Sequence, residues 1–152
     1  MKVLGLDSSG LVAGVALIQD DVLIAEYTTD YKKTHSQTLL PMLDEISNMT
    51  ELDLSTIDAI AVAGGPGSFT GLRIGSATAK GLGLALEKPL ISIPTTAAIA
   101  YNIWDTNKFV CPIMDARRNQ VYTGVYCYTD HRLDTVWEQD TMSIEALAEG
   151  LN

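Results

Sequence analysis

The residues best suited to chemistry in this chain form a glycine-rich loop, Gly64 to Gly75, between an apolar segment at 57–62 and a periodic segment at 72–86. The apolar segment predicts a buried strand and the periodic segment predicts a helix. A glycine-rich turn between a strand and a helix directs backbone N–H groups toward an anion. Nucleotide phosphates are therefore the first ligand to consider.

The side chains that complete a catalytic phosphate loop are missing. A Walker A loop ends in Gly-Lys-Ser/Thr, but Leu72 and Arg73 follow Gly71, so no lysine reaches the phosphates and no hydroxyl binds Mg²⁺. The dinucleotide fingerprint G-x-G-x-x-G begins at Gly65 and Gly67, but its third glycine comes one residue late. The alternative interpretation is a tight turn whose glycines permit positive φ and close packing.

Other catalytic arrangements are not favoured either. The two histidines, His35 and His131, stand in neither an H-x-x-x-H nor an H-E-x-x-H frame, so the sequence predicts no metal site. Ser68 directly follows a glycine and does not form G-x-S-x-G. We therefore predict no catalytic residue and no bound cofactor.

Composition indicates a folded, acidic protein. The chain has 152 residues, of which 47% are hydrophobic and 19% charged, and its net charge is −9. This charge opposes direct binding to RNA phosphates. If RNA is the final substrate, a partner must therefore supply the basic surface that binds it. Cys111 and Cys127 are expected to be free thiols. The early Asp7 and the lack of a long apolar run predict a cytoplasmic protein without a signal peptide or membrane span.

Strands and helices alternate along the first part of the chain. Segments 2–7, 11–19 and 22–28 predict three strands, and Asp20-Asp21 predicts a hairpin between the last two. A helix follows, whose apolar face is predicted from residues at helical spacing: Leu39, Leu43, Ile46 and Met49. The segment at 57–62, the helix at 72–86, a strand at 90–93 and a helix at 97–101 complete this part.

A similar order begins again in the second part. Segments 110–114, 121–128 and 134–137 predict three strands, and Ser143 is placed to cap a helix at 144–151. We therefore predict an α/β protein with two domains. Residues 1–103 have the order βββαβαβα, and residues 104–152 have the order βββα.

Several motifs together resemble one family. The segment 64–75 reads GGPGSFTGLRIG and is followed by AKGL at 79–82. The chain also contains, in order, LDSS at 6–9, HSQ at 35–37 with LLP at 39–41, and DAR at 115–117 with VY at 121–122. These motifs resemble the TsaB (YeaZ) family, the bacterial partner subunit in making threonylcarbamoyladenosine on tRNA. Ser8 and Gln37 depart from the Thr and Glu of the family pattern.

The resemblance implies an actin-like ATPase fold, of the ASKHA and RNase H-like type, built from two similar halves. Here the first half would be complete and the second half truncated after its first helix. Each half of such a fold offers an Asp- and Gly-containing phosphate loop. The chain has Asp7-Ser8-Ser9 at the first position and Asp115-Ala116-Arg117, without glycine, at the second.

These loops predict a degenerate nucleotide cleft. Its remnant would comprise the residues of both loops together with two glycines of the central motif: Asp7, Ser8, Ser9, Gly65, Gly67, Asp115 and Arg117. We expect Asp7 to be a turn or cap residue rather than a metal ligand. We expect Asp115 and Arg117 to form a local ion pair or a partner contact.

A stripe of small residues marks the second helix: Gly71, Gly75, Ala79 and Gly83 recur every four residues. Interior glycines cost about 1 kcal/mol each relative to alanine, so close approach of another backbone should offset them. That backbone can belong to the chain's own sheet or to a partner helix. The resemblance implies a helical interface, for which we predict Leu39, Leu43, Ile46, Gly71, Leu72, Arg73, Gly75, Ala79 and Gly83.

The resemblance also implies the function. It indicates a non-catalytic subunit that scaffolds the catalytic subunit TsaD, works with the ATPase TsaE, forms a homodimer when TsaD is absent, and meets tRNA only through the complex. One alternative is an ATP-dependent small-molecule kinase or ATPase of actin-like fold that uses the Gly64–Gly75 loop. Another is a homodimeric interaction module with no role in tRNA modification.

Overall fold

The computed structural model describes residues 1–30 and 35–151. Part of the predicted loop at 29–36 lies outside these residues. The chain forms two compact units, residues 1–93 and 94–152.

The first unit is built on a five-stranded sheet. Its strands are β1 (Lys2–Asp7), β2 (Ala13–Gln19), β3 (Val22–Thr29), β4 (Ala59–Gly65) and β5 (Leu90–Pro94), in the spatial order β3-β2-β1-β4-β5. Strands β1, β2 and β3 are antiparallel neighbours, whereas β1 and β4 pair in parallel. This mixed sheet confirms the predicted α/β class.

Two helices pack on one face of this sheet. Helix α1 (Leu39–Thr50) lies against β2 and β3, and helix α2 (Phe69–Leu86) lies against β4. Both contribute to one core with the inward side chains of β1, β2 and β4. Helix α2 begins three residues before its predicted start because the Ser68 hydroxyl caps it, accepting the Gly71 N–H at 3.3 Å.

The apolar face of α1 is largely as predicted. Leu39, Leu43 and Ile46 are buried, but Met49 is 82% exposed, so its assignment to this face is wrong. A helix turns about 100° per residue, which places Thr50 rather than Met49 in line with the stripe in the last turn. Met42 is the additional buried residue.

The second unit combines helices with an antiparallel sheet. Helix α3 (Thr95–Ala100) comes first, followed by a 3₁₀ turn at Tyr101–Ile103. Strands β6 (Ile113–Arg117), β7 (Gln120–Thr129) and β8 (Arg132–Ser143) form the sheet in that order, and α4 (Ile144–Gly150) follows. As predicted, the Ser143 hydroxyl caps α4 by accepting the Ala146 N–H at 3.1 Å.

The boundary between the two units lies between residues 93 and 94, ten residues before the predicted domain boundary. The reason is the packing of α3 against β7 within the second unit. The Thr96 hydroxyl lies 2.7 Å from the Tyr126 hydroxyl and 2.9 Å from the Gln139 side-chain oxygen, to which it donates. Ala100 joins the small apolar cluster of Val110 and Tyr126.

Two-residue turns connect β2 to β3 and β7 to β8. Asp20 and Asp21 both have positive φ, 50° and 64°, as the tight hairpin predicted between β2 and β3 requires. The same pattern recurs at Asp130 and His131, between β7 and β8. Aspartate tolerates this conformation better than most residues because its short polar side chain bonds locally.

An aromatic cluster covers one side of the second unit. Tyr101 stacks on Trp104 with ring centroids 5.5 Å apart, and Tyr128 meets both rings edge-on at 6.0 and 5.3 Å. The Tyr128 hydroxyl oxygen is buried and has no hydrogen-bond partner within the described residues. Burial, followed by the nearby Tyr101 and Asp105, raises the pKa of Tyr128.

The raised pKa of Tyr128 predicts that the second unit loses stability in alkali. A tyrosine whose pKa is raised in the folded state contributes stability that is fully present below the unfolded pKa of about 10 and is lost as pH rises through the folded pKa. We expect Tyr128→Phe to be neutral or stabilising at pH 7, since it removes an unsatisfied hydroxyl. It should also weaken the loss of stability above about pH 10.

Urea denaturation of the wild type and the variant at neutral and alkaline pH checks this. Tyr27→Phe, which changes a half-exposed phenol in β3, is the control. Equal alkaline losses in both variants would contradict the assignment.

Candidate functional site

The central glycine motif closes directly onto the loop that follows β1. The Ser68 N–H donates to the Ser9 carbonyl at 2.7 Å, and the Ser8 hydroxyl donates to the Gly71 carbonyl at 2.8 Å. Ser8 and Ser9 are only 2% and 3% exposed. Two segments about 60 residues apart in sequence are thus joined by one main-chain hydrogen bond and one hydrogen bond from a serine side chain.

Three motif glycines are required for this contact. A Cβ on Gly71 would overlap the Ser8 carbonyl oxygen, and one on Gly67 would overlap the Ser9 carbonyl oxygen. A Cβ on Gly75 would overlap the Ser8 hydroxyl. The spacing of these glycines therefore serves close packing, which is the second of the two interpretations that the sequence allowed.

The remainder of the stripe also faces inward. Ala79 is fully buried in the core, and a Cβ on Gly83 would lie 2.7 Å from the Leu90 side chain. The other buried members of the predicted interface are Leu39, Leu43, Ile46, Gly71 and Gly75. In the described structure they pack within the first unit, so a partner cannot meet them directly. Their assignment to a partner surface is corrected to internal packing, because the sheet occupies that side of both helices.

The residues exposed on α1 and α2 are not those of the small-residue stripe. Arg73 is exposed, and Leu72 is half-buried beside Gly65. Large apolar side chains are exposed on both helices: Leu40 and Met49 on α1, Phe69 and Leu84 on α2. These residues, rather than the small-residue stripe, are the exposed apolar positions of the two helices. Periodicity alone did not identify them.

Asp7 and His35 stabilise the first loop. The Asp7 carboxylate accepts the Ser9 N–H at 2.8 Å, which makes it the turn residue that the sequence predicted. His35 Nε2 lies 2.9 Å from the Gly10 carbonyl oxygen. The role of His35 was missed, although it belongs to the HSQ motif, because the contact joins segments 25 residues apart.

The hydrogen bonds at the start of α2 bear on anion binding. In a phosphate loop, the first amides of the helix point at the ligand. Here the Ser68 N–H already has the Ser9 carbonyl as its acceptor, and the Gly71 N–H has the Ser68 hydroxyl. A phosphate would have to displace the chain's own oxygen atoms to reach these two amides. Gly65, with φ of 108°, shapes the turn that precedes them.

The second predicted remnant is a small turn in the second unit. The Asp115 carboxylate accepts the Arg117 N–H at 2.7 Å, and its other oxygen lies 3.8 Å from the Arg117 guanidinium. Both side chains are exposed, so this pair adds at most about 1 kcal/mol of stability. The local ion pair is as predicted.

The described residues, 1–30 and 35–151, include no group of three or more histidine, cysteine, aspartate or glutamate side chains placed to hold a metal ion. None of the helices in that part of the chain has the length and apolar character needed to cross a membrane. Cys111 and Cys127 are free thiols.

Comparisons with known proteins agree on one family. A family model described as TsaD, tRNA N6-adenosine threonylcarbamoyltransferase, matches residues 23–152. The tRNA threonylcarbamoyladenosine biosynthesis protein TsaB of Bacillus subtilis is 39% identical over 136 residues, covering 90% of this chain and 59% of the relative. TsaB of Escherichia coli is 36% identical over 128 residues, covering 83% of this chain and 55% of the relative.

A solved structure of YeaZ from Pseudomonas aeruginosa superposes with a TM-score of 0.82 at 29% identity, covering 93% of this chain and 67% of that one. The chain spans little more than half the length of the curated relatives it matches. These comparisons confirm the resemblance to TsaB and YeaZ. The finer expectation, a truncated second half of an actin-like fold, stays a prediction.

The close contact between the Ser8–Ser9 loop and α2 predicts opposite effects on stability for two glycine substitutions in α2. Gly71→Ala should destabilise the first unit by about 1–3 kcal/mol or more, because the added methyl group overlaps a carbonyl oxygen. Gly81→Ala is the matched control, since nothing lies within 4 Å of its Cβ position. It should stabilise the protein by up to about 1 kcal/mol. Urea denaturation measures both effects, and a shift in the same direction for both variants would contradict the packing described here.

Proposed function

The chain belongs to the family whose model is described as TsaD, tRNA N6-adenosine threonylcarbamoyltransferase, and we propose that it is a non-catalytic subunit of the machinery that makes threonylcarbamoyladenosine in tRNA. The names of its curated relatives support the pathway. The observation that carries the non-catalytic role is the Ser68–Ser9 hydrogen bond, since the chain's own carbonyl takes an amide that a phosphate loop would offer to its ligand.

The polar groups around the motif support the same proposal. The Ser8 hydroxyl is buried and donates to Gly71, and the Ser68 hydroxyl caps α2. The Asp7 carboxylate holds the turn that contains Ser9. Each of these groups has a structural partner, so none is positioned as a free nucleophile or base. Catalysis would then belong to a partner.

We propose TsaD as the catalytic partner and TsaE as the ATPase that acts with it. The outward surfaces of α1 and α2 would form the contact, because exposed apolar residues on adjacent helices suit a helical interface. The charged residues of α1 are Asp44 and Glu45, and those of α2 are Arg73 and Lys80. A second copy could therefore place its α1 against α2, which supports a homodimer when TsaD is absent.

Transfer RNA would be reached through the complex. A net charge of −9 opposes direct binding to phosphates, so the basic surface must come from a partner. We place the complex in the cytoplasm, where free thiols such as Cys111 and Cys127 persist.

Reconstitution of the modification tests the role. With tRNA, a threonylcarbamoyl donor, ATP, TsaD and TsaE, we expect threonylcarbamoyladenosine to form only when this chain is added. The chain by itself should not hydrolyse ATP. Asp7→Asn is the sharpest variant, because its side-chain oxygen can still accept the Ser9 N–H while the charge that a metal ion would need is removed.

The Asp7→Asn variant should therefore support modification at the wild-type rate. ATP turnover by the isolated chain that disappears in Asp7→Asn would instead identify an ATPase or kinase. Circular dichroism establishes that the variant is folded.

The proposed helical interface makes a separate prediction. Met49→Glu places a charge on the outward surface of α1 without touching the core, so it should weaken both homodimer formation and binding to TsaD. Val136→Glu, an exposed position on β8, is the matched control. Light scattering measures the mass of the dimer and calorimetry the affinity for TsaD. If both variants associate like the wild type, the interface lies elsewhere.

A further inference from the structure

The aromatic cluster of the second unit is accessible to solvent. The Tyr101 and Trp104 rings stack with 25° between their planes, and the Tyr128 ring stands nearly perpendicular to Tyr101, at 84°. Stacking covers one face of each of the first two rings. Tyr101 nevertheless remains 49% exposed and Trp104 56% exposed. About half of each side chain is therefore available to a ligand.

A carboxylate lies beside these rings. Asp105 directly follows Trp104, and its Oδ2 atom lies 2.6 Å from His131 Nδ1. Within residues 1–30 and 35–151, no other group bonds to this carboxylate, so its second oxygen can still accept hydrogen bonds. Burial is the main cause of the raised pKa of Tyr128, and the charge on Asp105 adds to it. The carboxylate and the aromatic rings are thus close neighbours.

The cluster is short of hydrogen-bond donors. The Tyr128 hydroxyl oxygen is buried and has no partner in the described part of the chain. Most buried polar atoms in folded proteins have a partner, so an unpaired one is unusual. The phenol oxygen and the second Asp105 oxygen are both acceptors. A ligand with several N–H groups would complement them.

The charge at this surface favours a cation. The faces of aromatic rings are electronegative, a carboxylate lies next to them, and the whole chain has a net charge of −9. Among the described residues, no cation lies over the three rings. The same chain does form such a contact elsewhere, where the Arg73 guanidinium lies 5.4 Å from the centre of the Phe69 ring. The surface therefore suits a cation supplied by another molecule.

The ring arrangement distinguishes between kinds of cation. A quaternary ammonium group binds in a cage of aromatic rings that face an enclosed space. Here the rings contact one another, with centroids 5.3–6.0 Å apart, so a ligand must lie on the outside of the cluster. A guanidinium is planar, stacks on an aromatic face and donates hydrogen bonds within its own plane. This geometry suits an open ring next to a carboxylate.

We propose that Tyr101, Trp104 and Asp105 form a binding site for an arginine side chain of a basic protein partner. The guanidinium would stack on the exposed Trp104 ring and donate to the second oxygen of Asp105. A nucleobase could also stack on this ring, but an RNA would bring phosphates that the acidic chain repels. The inference uses residues of the second unit only and does not rest on the proposed role in tRNA modification.

Short peptides test the site in the full chain. The chain has two tryptophans, Trp104 and Trp137, whose indole N–H signals can be followed by NMR in isotope-labelled protein. The probe is acetyl-Gly-Arg-Gly-amide. We expect saturable shifts of the Trp104 signal and none of the Trp137 signal. A peptide with neutral citrulline in place of arginine should bind at least about tenfold more weakly, and one with lysine at least about threefold more weakly.

Substitutions then identify the contributing side chains. Asp105→Asn should weaken the arginine peptide at least about fivefold, because the charge is lost while an oxygen remains for His131. Glu138→Gln, an exposed position on β8 with the same change in net charge, is the matched control. Trp104→Leu should weaken binding about fivefold, whereas Trp104→Phe keeps a flat ring and should bind within about threefold of the wild type. In these variants the backbone amide at position 105 reports binding, and circular dichroism checks folding.

Several results would overturn the proposal. They are equal binding of the arginine peptide and either of its analogues, equal shifts of the Trp104 and Trp137 signals, or equal effects of Asp105→Asn and Glu138→Gln. If adenosine monophosphate shifts the Trp104 signal and the arginine peptide does not, the surface stacks nucleobases instead. None of these results changes the outcome of the tRNA reconstitution, so the two proposals fail independently.

Discussion

The contact between the Ser8–Ser9 loop and the glycine surface of α2 is the constraint on which the first unit depends. Main-chain atoms of the loop approach the helix so closely that Gly67 and Gly71 have no room for a side chain. The loop continues β1, the central strand of the sheet, and His35 holds its other end just before α1. The loop thus links β1 to the start of α2 and to the segment just before α1.

The same contact bears on whether the glycine motif can bind a phosphate. A strand, a glycine-rich turn and a helix form the usual local arrangement for binding a phosphate. In this chain the arrangement is retained, but the Ser9 carbonyl accepts the Ser68 N–H. The close packing therefore occurs in the same motif that lacks the lysine and the hydroxyl of a Walker A loop.

The surfaces left to partners follow from this packing. The inward sides of α1 and α2 pack against the sheet, which leaves their outward apolar residues exposed. The charged side chains also differ between the two helices, with carboxylates on α1 and cations on α2.

The sequence by itself determined the local structure and the family. The order of strands and helices, the Asp20-Asp21 hairpin, the Ser143 cap and the buried Leu39, Leu43 and Ile46 all follow from short-range patterns of hydrophobicity and turn chemistry. The motifs from the first strand to Tyr122 were sufficient to indicate TsaB. These features depend on residues close together in sequence, where spacing fixes geometry.

Only the tertiary structure decided what each surface meets. The stripe from Gly71 to Gly83 shows that something approaches α2 closely, but a missing side chain fits the chain's own sheet and a partner helix equally well. The approach of Ser8, about 60 residues away, settled the matter for this surface. Likewise α3 joined the second unit through Thr96 and Tyr126, which no local pattern links. Burial is a property of contacts between distant segments, whereas periodicity records only which residues share a face.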